Sequence, residues 1–297
     1  MSRLVQTQLA PASQLQAQST RLSFAQIVIL ASLVLWLYGP ILVRLFMQWS
    51  TDPDFSHGFL VPLFSGFLVW RDRARFAQLV PRPSWTGLGL IAFSLFTLIV
   101  GRLGAELFLA RFSLLLLLAG MIVFFLGWNF FRAALFPWAF LVLMIPIPAI
   151  MFNQIAFPLQ LLASRLASAT LPLFDVPVFR EGNVINLATK SLEVAKACSG
   201  IRSLLSLITV AIIYGVLTEK RLWVRTLLAL ASVPIAVMAN GIRIIVIGLL
   251  VRYWTPDAAD GYFHAYWGWV VFVLSLAMLY GLHALVRNLW RDGGTHE

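Results

Sequence analysis

The chain has 297 residues, of which 60% are hydrophobic and only 11% charged, with a formal net charge of +10. Soluble domains carry charge at about 25% of positions, so an ordinary soluble fold is excluded. The positive charge does not mark a nucleic-acid binder, because the basic residues fall in short connections between apolar runs and form no single patch.

The first 20 residues are polar and Gln-rich, and no cleavage-site pattern follows the first apolar run, so no signal peptide is read there. Residues 1–23 are expected to be a cytoplasmic tail. Uncharged runs such as "IVILASLVLWLYGPILV" and "LLLLLAGMIVFFLG" approach the roughly 20 residues that cross a bilayer. In chain order they predict eight spans, at 24–48, 56–71, 85–101, 105–126, 132–150, 198–217, 226–250 and 264–286. The fold class is therefore an all-α polytopic membrane protein, with one transmembrane domain over 24–286 and a cytoplasmic tail at 287–297.

Between the fifth and sixth spans, residues 151–175 are apolar but interrupted by Pro158, Arg165 and Pro172. A re-entrant or interfacial amphipathic helix is expected there, because one more crossing would invert the last three spans. The alternating stretch that follows, "DVPVFREGNVINLATKSLEVAKA", predicts a small outer-face hairpin or extended loop turning at Glu181-Gly182-Asn183.

The connections 71–76, 218–225 and 286–297, with Arg3, Arg21, Arg82 and Arg132, put 12 basic and 4 acidic residues on one side and leave 10 and 8 elsewhere. The positive-inside rule makes that side cytoplasmic, with both termini inside. Cys198 then begins the sixth span at its outer end, Arg243 lies near the outer end of the seventh, and His264 opens the eighth. Three residues distant in sequence share one membrane depth.

Cys198 is the only cysteine, so no internal disulfide forms. Its place near a helix N-terminus, with Lys196 and Arg202 nearby, favours the thiolate; the other reading is a buried, inert thiol. Arg243 interrupts an apolar run at a cost of a few kcal/mol, which points either to a partnered interior residue or to snorkelling towards headgroups. Asn240, three residues earlier on the same helical face, is placed to orient it. His264 suits a general acid or base. His57 in "DPDFSHGFLVP" also lies outside, and the alternative for both histidines is an interfacial residue in an aromatic belt. Two outer histidines and Cys198 have no ligand spacing, so neither a metal nor a cofactor is expected. Glu106 and Arg111, five apart, are read as an outer-end charge and a bundle-facing arginine with structural roles. His283 falls towards the cytoplasmic end of the last span.

"ACSGIRSLLSL" with Cys198, "NGIRI" with Arg243 and "HAYWGWVVF" with His264 resemble the three signature blocks of the exosortase/archaeosortase family. "DFSHGFLVPLFSGFLVW", "PLQLLAS" and "VPVFREGNVI" resemble further blocks, extending the likeness from about residue 50 to 275. The resemblance implies a membrane cysteine peptidase and transpeptidase of the PEP-CTERM protein-sorting type, working in the cell inner membrane. Its substrates would be membrane-anchored proteins with a C-terminal sorting signal, with exopolysaccharide-export proteins as further partners and no nucleic acid. It implies an acyl-thioester on Cys198, Arg243 as proton donor or oxyanion-side residue, and His264 in transition-state support or proton transfer. Arg202, Asn240 and His57 would be supporting residues. Lys196 departs from the family pattern, in which a glutamate often precedes the Ala-Cys pair. Two other readings stay open: a transporter or flippase for a lipid-linked polysaccharide, and a non-enzymatic assembly factor in polysaccharide export.

Overall fold

A computed structural model describes residues 24–188, 190–193, 200–254 and 261–292. They form α1 (Phe24–Thr51), α2 (Leu60–Arg71), α3 (Arg73–Ala77), α4 (Thr86–Leu103), α5 (Leu107–Phe125), α6 (Trp128–Phe140) and α7 (Ala149–Thr170). Three short strands follow, β1 (Val178–Glu181), β2 (Val184–Leu187) and β3 (Ser191–Glu193), and then α8 (Gly200–Thr218), α9 (Leu222–Tyr253) and α10 (Gly261–Asp292). The chain is thus a polytopic, predominantly helical membrane protein. Among the described residues, α1, α4, α5, α9 and α10 carry stretches long and apolar enough to cross a bilayer, and Trp128–Met144 and Leu204–Thr218 are shorter apolar segments.

Several boundaries move for local reasons. The second predicted span begins only at Leu60, because Asp52 and Pro53 open a 3-10 turn over Pro53–Phe59 in which the Asp52 carboxylate accepts the Asp54 N–H at 3.0 Å. The fifth predicted span stops early. After α6 a 3-10 turn over Leu141–Met144 leads into Ile145-Pro146-Ile147-Pro148, and each proline drives its predecessor out of helical geometry. The segment expected to be re-entrant or interfacial is one unbroken 22-residue helix, α7, that runs through Pro158. Its buried positions Ala156, Ala163 and Ala167 recur at spacings of seven and four, so one stripe faces protein and the rest does not.

The residues cluster into two compact units. One contains residues 24–45 and 69–138. In it α4 and α5 pack with backbones close together: a Cβ on Gly87 would collide with the Phe124 backbone, and one on Gly101 would stand 2.6 Å from the Ala110 nitrogen. Small residues serve membrane helices in this way, since lipid supplies no hydrophobic drive for helix association. The buried Tyr38 hydroxyl of α1 lies 3.0 Å from Ser113 Oγ and 3.3 Å from Ser94 Oγ, joining three helices through hydrogen bonds. Trp138 Nε1 donates to the Leu115 carbonyl at 2.8 Å.

The other unit contains residues 46–68 and 139–292. Here α9 is central, with α7, α8 and α10 packed on it. The strands form an antiparallel sheet of order β1-β2-β3. The expected hairpin is present, with Glu181 paired to Val184 across Gly182-Asn183. Gly182 has φ +61, the conformation that a II′ turn requires at its first central residue. β3 adds a third strand. Ile185 and Leu192 of the sheet are buried with Ala163, Ala167 and Leu171, and with Ile244, Ile247 and Val251 of α9. The sheet therefore covers the C-terminal half of α9, where Arg243 stands. Two side-chain bonds pin its tip to α7: Ser164 Oγ donates to the Gly182 carbonyl at 3.1 Å, and Asn183 Nδ2 to Gln160 Oε1 at 3.3 Å.

Candidate active site

Arg243 is 2% exposed, deep in the face that α9 turns towards its neighbours. That removes the snorkelling alternative, because a snorkelling arginine keeps its head outside the protein. A Cβ built on Gly268 of α10 would lie 3.5 Å from one terminal nitrogen of the Arg243 guanidinium and 3.8 Å from its central carbon. The guanidinium thus rests against the bare backbone of α10 at Gly268. Residue 264 is four positions earlier in the same helix, hence one turn away on the same face. Arg243 therefore packs on α10 one helical turn from position 264.

Asn240, one turn before Arg243, is 8% exposed. It borders a cleft of ≈ 20 Å³ with Gln160 of α7 and Leu204 of α8. Three elements converge there: the helix that follows Cys198, the helix that carries Arg243, and α7 with the hairpin pinned to it. Sequence reading did not single out Gln160 or Ser164. The signal was weak, because polar residues on an interrupted apolar segment look the same whether they face water or protein.

His57 belongs to this unit as well. It is 6% exposed, within the 3-10 turn that packs against α8. Its Nδ1 is enclosed without a hydrogen bond of acceptable geometry, while the backbones of Leu143 and Asp54 lie near enough to interact with the ring. The turn is clamped by Trp49, whose indole fills the space over Gly58 and whose Nε1 donates to the Met144 carbonyl at 3.0 Å. His57 is therefore a buried side chain and not a surface member of an aromatic belt.

Cys198 and Lys196 lie outside the described residues, between Glu193 of β3 and Gly200 of α8, and the side chain of Arg202 is likewise outside them. The His264 side chain falls in the same category, although its backbone is helical. Glu106 caps α5, its Oε1 accepting the Phe108 N–H at 3.3 Å, and Arg111 is 5% exposed.

A second polar group had no counterpart in the sequence reading. His283 Nε2 is 2.8 Å from Glu219 Oε1, and His283 Nδ1 is 2.6 Å from the Tyr214 hydroxyl. A carboxylate only accepts, so Nε2 carries the proton, and in the neutral ring Tyr214 donates to Nδ1. The positive-inside rule puts the basic 218–225 connection and the end of the last span on one membrane side, which is the sequence signal for this group.

Membrane-length helices around a buried arginine, with a small sheet laid over the same half of α9, define a polytopic membrane protein with an intramembrane polar site. The chain belongs to the transmembrane exosortase family, whose model (Exosortase_EpsH) matches residues 49–281. That span takes in every candidate site residue. Membership brings a membrane transpeptidase role in protein sorting, in general terms. No curated protein and no solved structure gives a match.

Proposed function

We propose that the protein is a membrane cysteine transpeptidase that cleaves a C-terminal, PEP-CTERM-like sorting signal from exported proteins at the extracytoplasmic face of the inner membrane. The observation that carries this reading is the contact of the Arg243 guanidinium with Gly268, one helical turn from His264. In support of the reading, position 264 is one turn from the residue that Arg243 touches, and Cys198 shortly precedes α8, which packs on the same α9.

The chemistry assigns the roles. The Cys198 thiolate attacks the scissile carbonyl carbon, and the carbonyl electron pair moves to oxygen. Arg243 faces that oxyanion, because a guanidinium stays protonated at any working pH and so stabilises charge better than it shuttles protons. In a low-dielectric site this electrostatic stabilisation is worth several kcal/mol. His264 delivers the proton that the leaving amine takes as the C–N bond breaks, giving the acyl-thioester. An incoming nucleophile, whether water or an acceptor group, then attacks the thioester and regenerates the thiolate. Because the substrate is anchored by its own helix, its cleavage site is held at one depth, which supplies the orientation.

The test is Cys198→Ala. The variant should reach the membrane at normal abundance while uncleaved sorting-signal substrate accumulates. Processing at the wild-type rate would eliminate the thioester and leave the assembly-factor reading in its place.

A further inference from the structure

The unit formed by residues 24–45 and 69–138 holds a cavity of ≈ 420 Å³ at the end where α4 turns into α5. Three arginines from three helices line it: Arg44 of α1, Arg102 of α4 and Arg111 of α5. Its other walls include Pro40, Ile41 and Leu107. Arg111 is 5% exposed, and among the described residues it makes no hydrogen bond or ion pair within bonding distance; Glu106, close enough to act on it through its charge, spends Oε1 on the Phe108 N–H. Arg102 gives one bond, from a terminal nitrogen to the Leu37 carbonyl at 2.7 Å, and has further N–H groups to offer. Arg44 is exposed.

This cluster is out of place for a topology determinant. By the reading of charged connections it lies on the extracytoplasmic side, where the positive-inside rule asks for no arginines. Snorkelling accounts for Arg44 and Arg102 but not for Arg111, which is covered by protein. Three guanidiniums against one carboxylate leave two surplus positive charges around an otherwise apolar chamber walled by membrane helices. Planar guanidinium forks match phosphate oxygens in paired hydrogen bonds, and the apolar wall matches a hydrocarbon chain.

We propose that this cavity is a binding site for the phosphate head of an anionic membrane lipid. The phosphate is held between Arg111 at the floor and Arg44 and Arg102 at the rim, and the lipid tail lies along α1 and α5. The site is built within one unit and does not depend on the reaction assigned to Cys198.

Purified protein in detergent is titrated with dioctanoyl phosphatidic acid, dioctanoyl glycerol and inorganic phosphate, and binding is read by calorimetry. Phosphatidic acid should bind saturably and at least about tenfold more tightly than either of the others. Arg44→Gln and Arg111→Gln should each weaken it by about tenfold or more. Arg44 is exposed, so its variant keeps the test valid if Arg111→Gln fails to fold. Equal affinity in wild type and Arg44→Gln overturns the proposal, as does equal binding of dioctanoyl glycerol. Inorganic phosphate binding as tightly as the lipid assigns the site to a soluble anion and overturns the lipid.

Discussion

Each of the two units buries an arginine to more than nine-tenths, but the surroundings differ. Arg111 borders a cavity of ≈ 420 Å³ with two further arginines, whereas Arg243 is packed on the backbone of α10 at Gly268. An open, multiply cationic chamber suits a ligand that arrives and leaves. A single guanidinium fixed by packing suits a charge that must already be in position when a transition state forms, because preorganised groups need not reorient during the reaction. The difference teaches that burial of an arginine in a membrane protein does not by itself say what the arginine is for. The space around it says that.

The sharpest way to break this comparison is to exchange the arginines for lysines and glutamines and measure both activities on each variant. Arg243→Lys should lower the rate of sorting-signal cleavage by about 100-fold or more, as loss of an oxyanion donor does, while phosphatidic acid binding stays within about twofold of wild type. Arg111→Gln should weaken lipid binding by about tenfold or more. Wild-type cleavage by Arg243→Lys would remove Arg243 from the reaction and leave it a packing residue.

A smaller effect is expected from the residue that holds the guanidinium. A methyl group at 268 would sit 3.5–3.9 Å from Arg243, which is ordinary contact, so Gly268→Ala should cleave at close to the wild-type rate. Gly268→Val adds a branched side chain that pushes the guanidinium aside, and the rate should fall by about tenfold at unchanged protein abundance. If Ala and Val behave alike, the Gly268 contact does not position Arg243. No such steep size dependence is expected around Arg111, where the chamber has room.

The long helices of the first unit and the hairpin and Arg243 of the second were legible in the sequence, and the contacts between helices were not. Arg243 stood out because a charge in an apolar run has so few explanations, and the hairpin stood out because Glu181-Gly182-Asn183 interrupts clean alternation. β3 was hidden because it is three residues long and mostly polar. The continuity of α7 was hidden by Pro158, which reads as a breaker in water but is tolerated where neighbouring helices compensate the lost bond. The early end of α6 was readable from Pro146 and Pro148, and the apolar character of Ile145 and Ile147 masked it. The convergence of Arg44, Arg102 and Arg111 carries no sequence signal at all. It depends on how α1 lies against the α4–α5 pair, through contacts such as Tyr38 with Ser94 and Ser113. Local pattern gives helices and turns; it does not give which helices touch.

The smallest expected effect concerns the Tyr214–His283–Glu219 group, which is polar and partly covered like Arg243 but takes no part in the proposed reaction. The His283 hydrogen bond, chiefly, holds the Glu219 carboxyl below the ordinary carboxylate range; partial burial opposes it, while Arg287 and the Lys220 backbone act in the same direction as His283. A depressed carboxyl stabilises the folded state above its unfolded pKa, and that contribution disappears as pH falls through the folded value. Wild type should therefore melt above Glu219→Gln at neutral pH, by about 2–4 °C or less given the exposure of the carboxylate. The gap should close as the pH drops below the ordinary carboxylate range. Cleavage by Glu219→Gln at neutral pH should stay within about twofold of wild type, since distant sites are usually independent. A gap that persists unchanged at acidic pH would mean that Glu219 acts by packing rather than charge. A large loss of cleavage would extend the working part of the second unit beyond the Arg243–Gly268 junction, and the contrast between a closed reaction site and an open binding site would have to be redrawn.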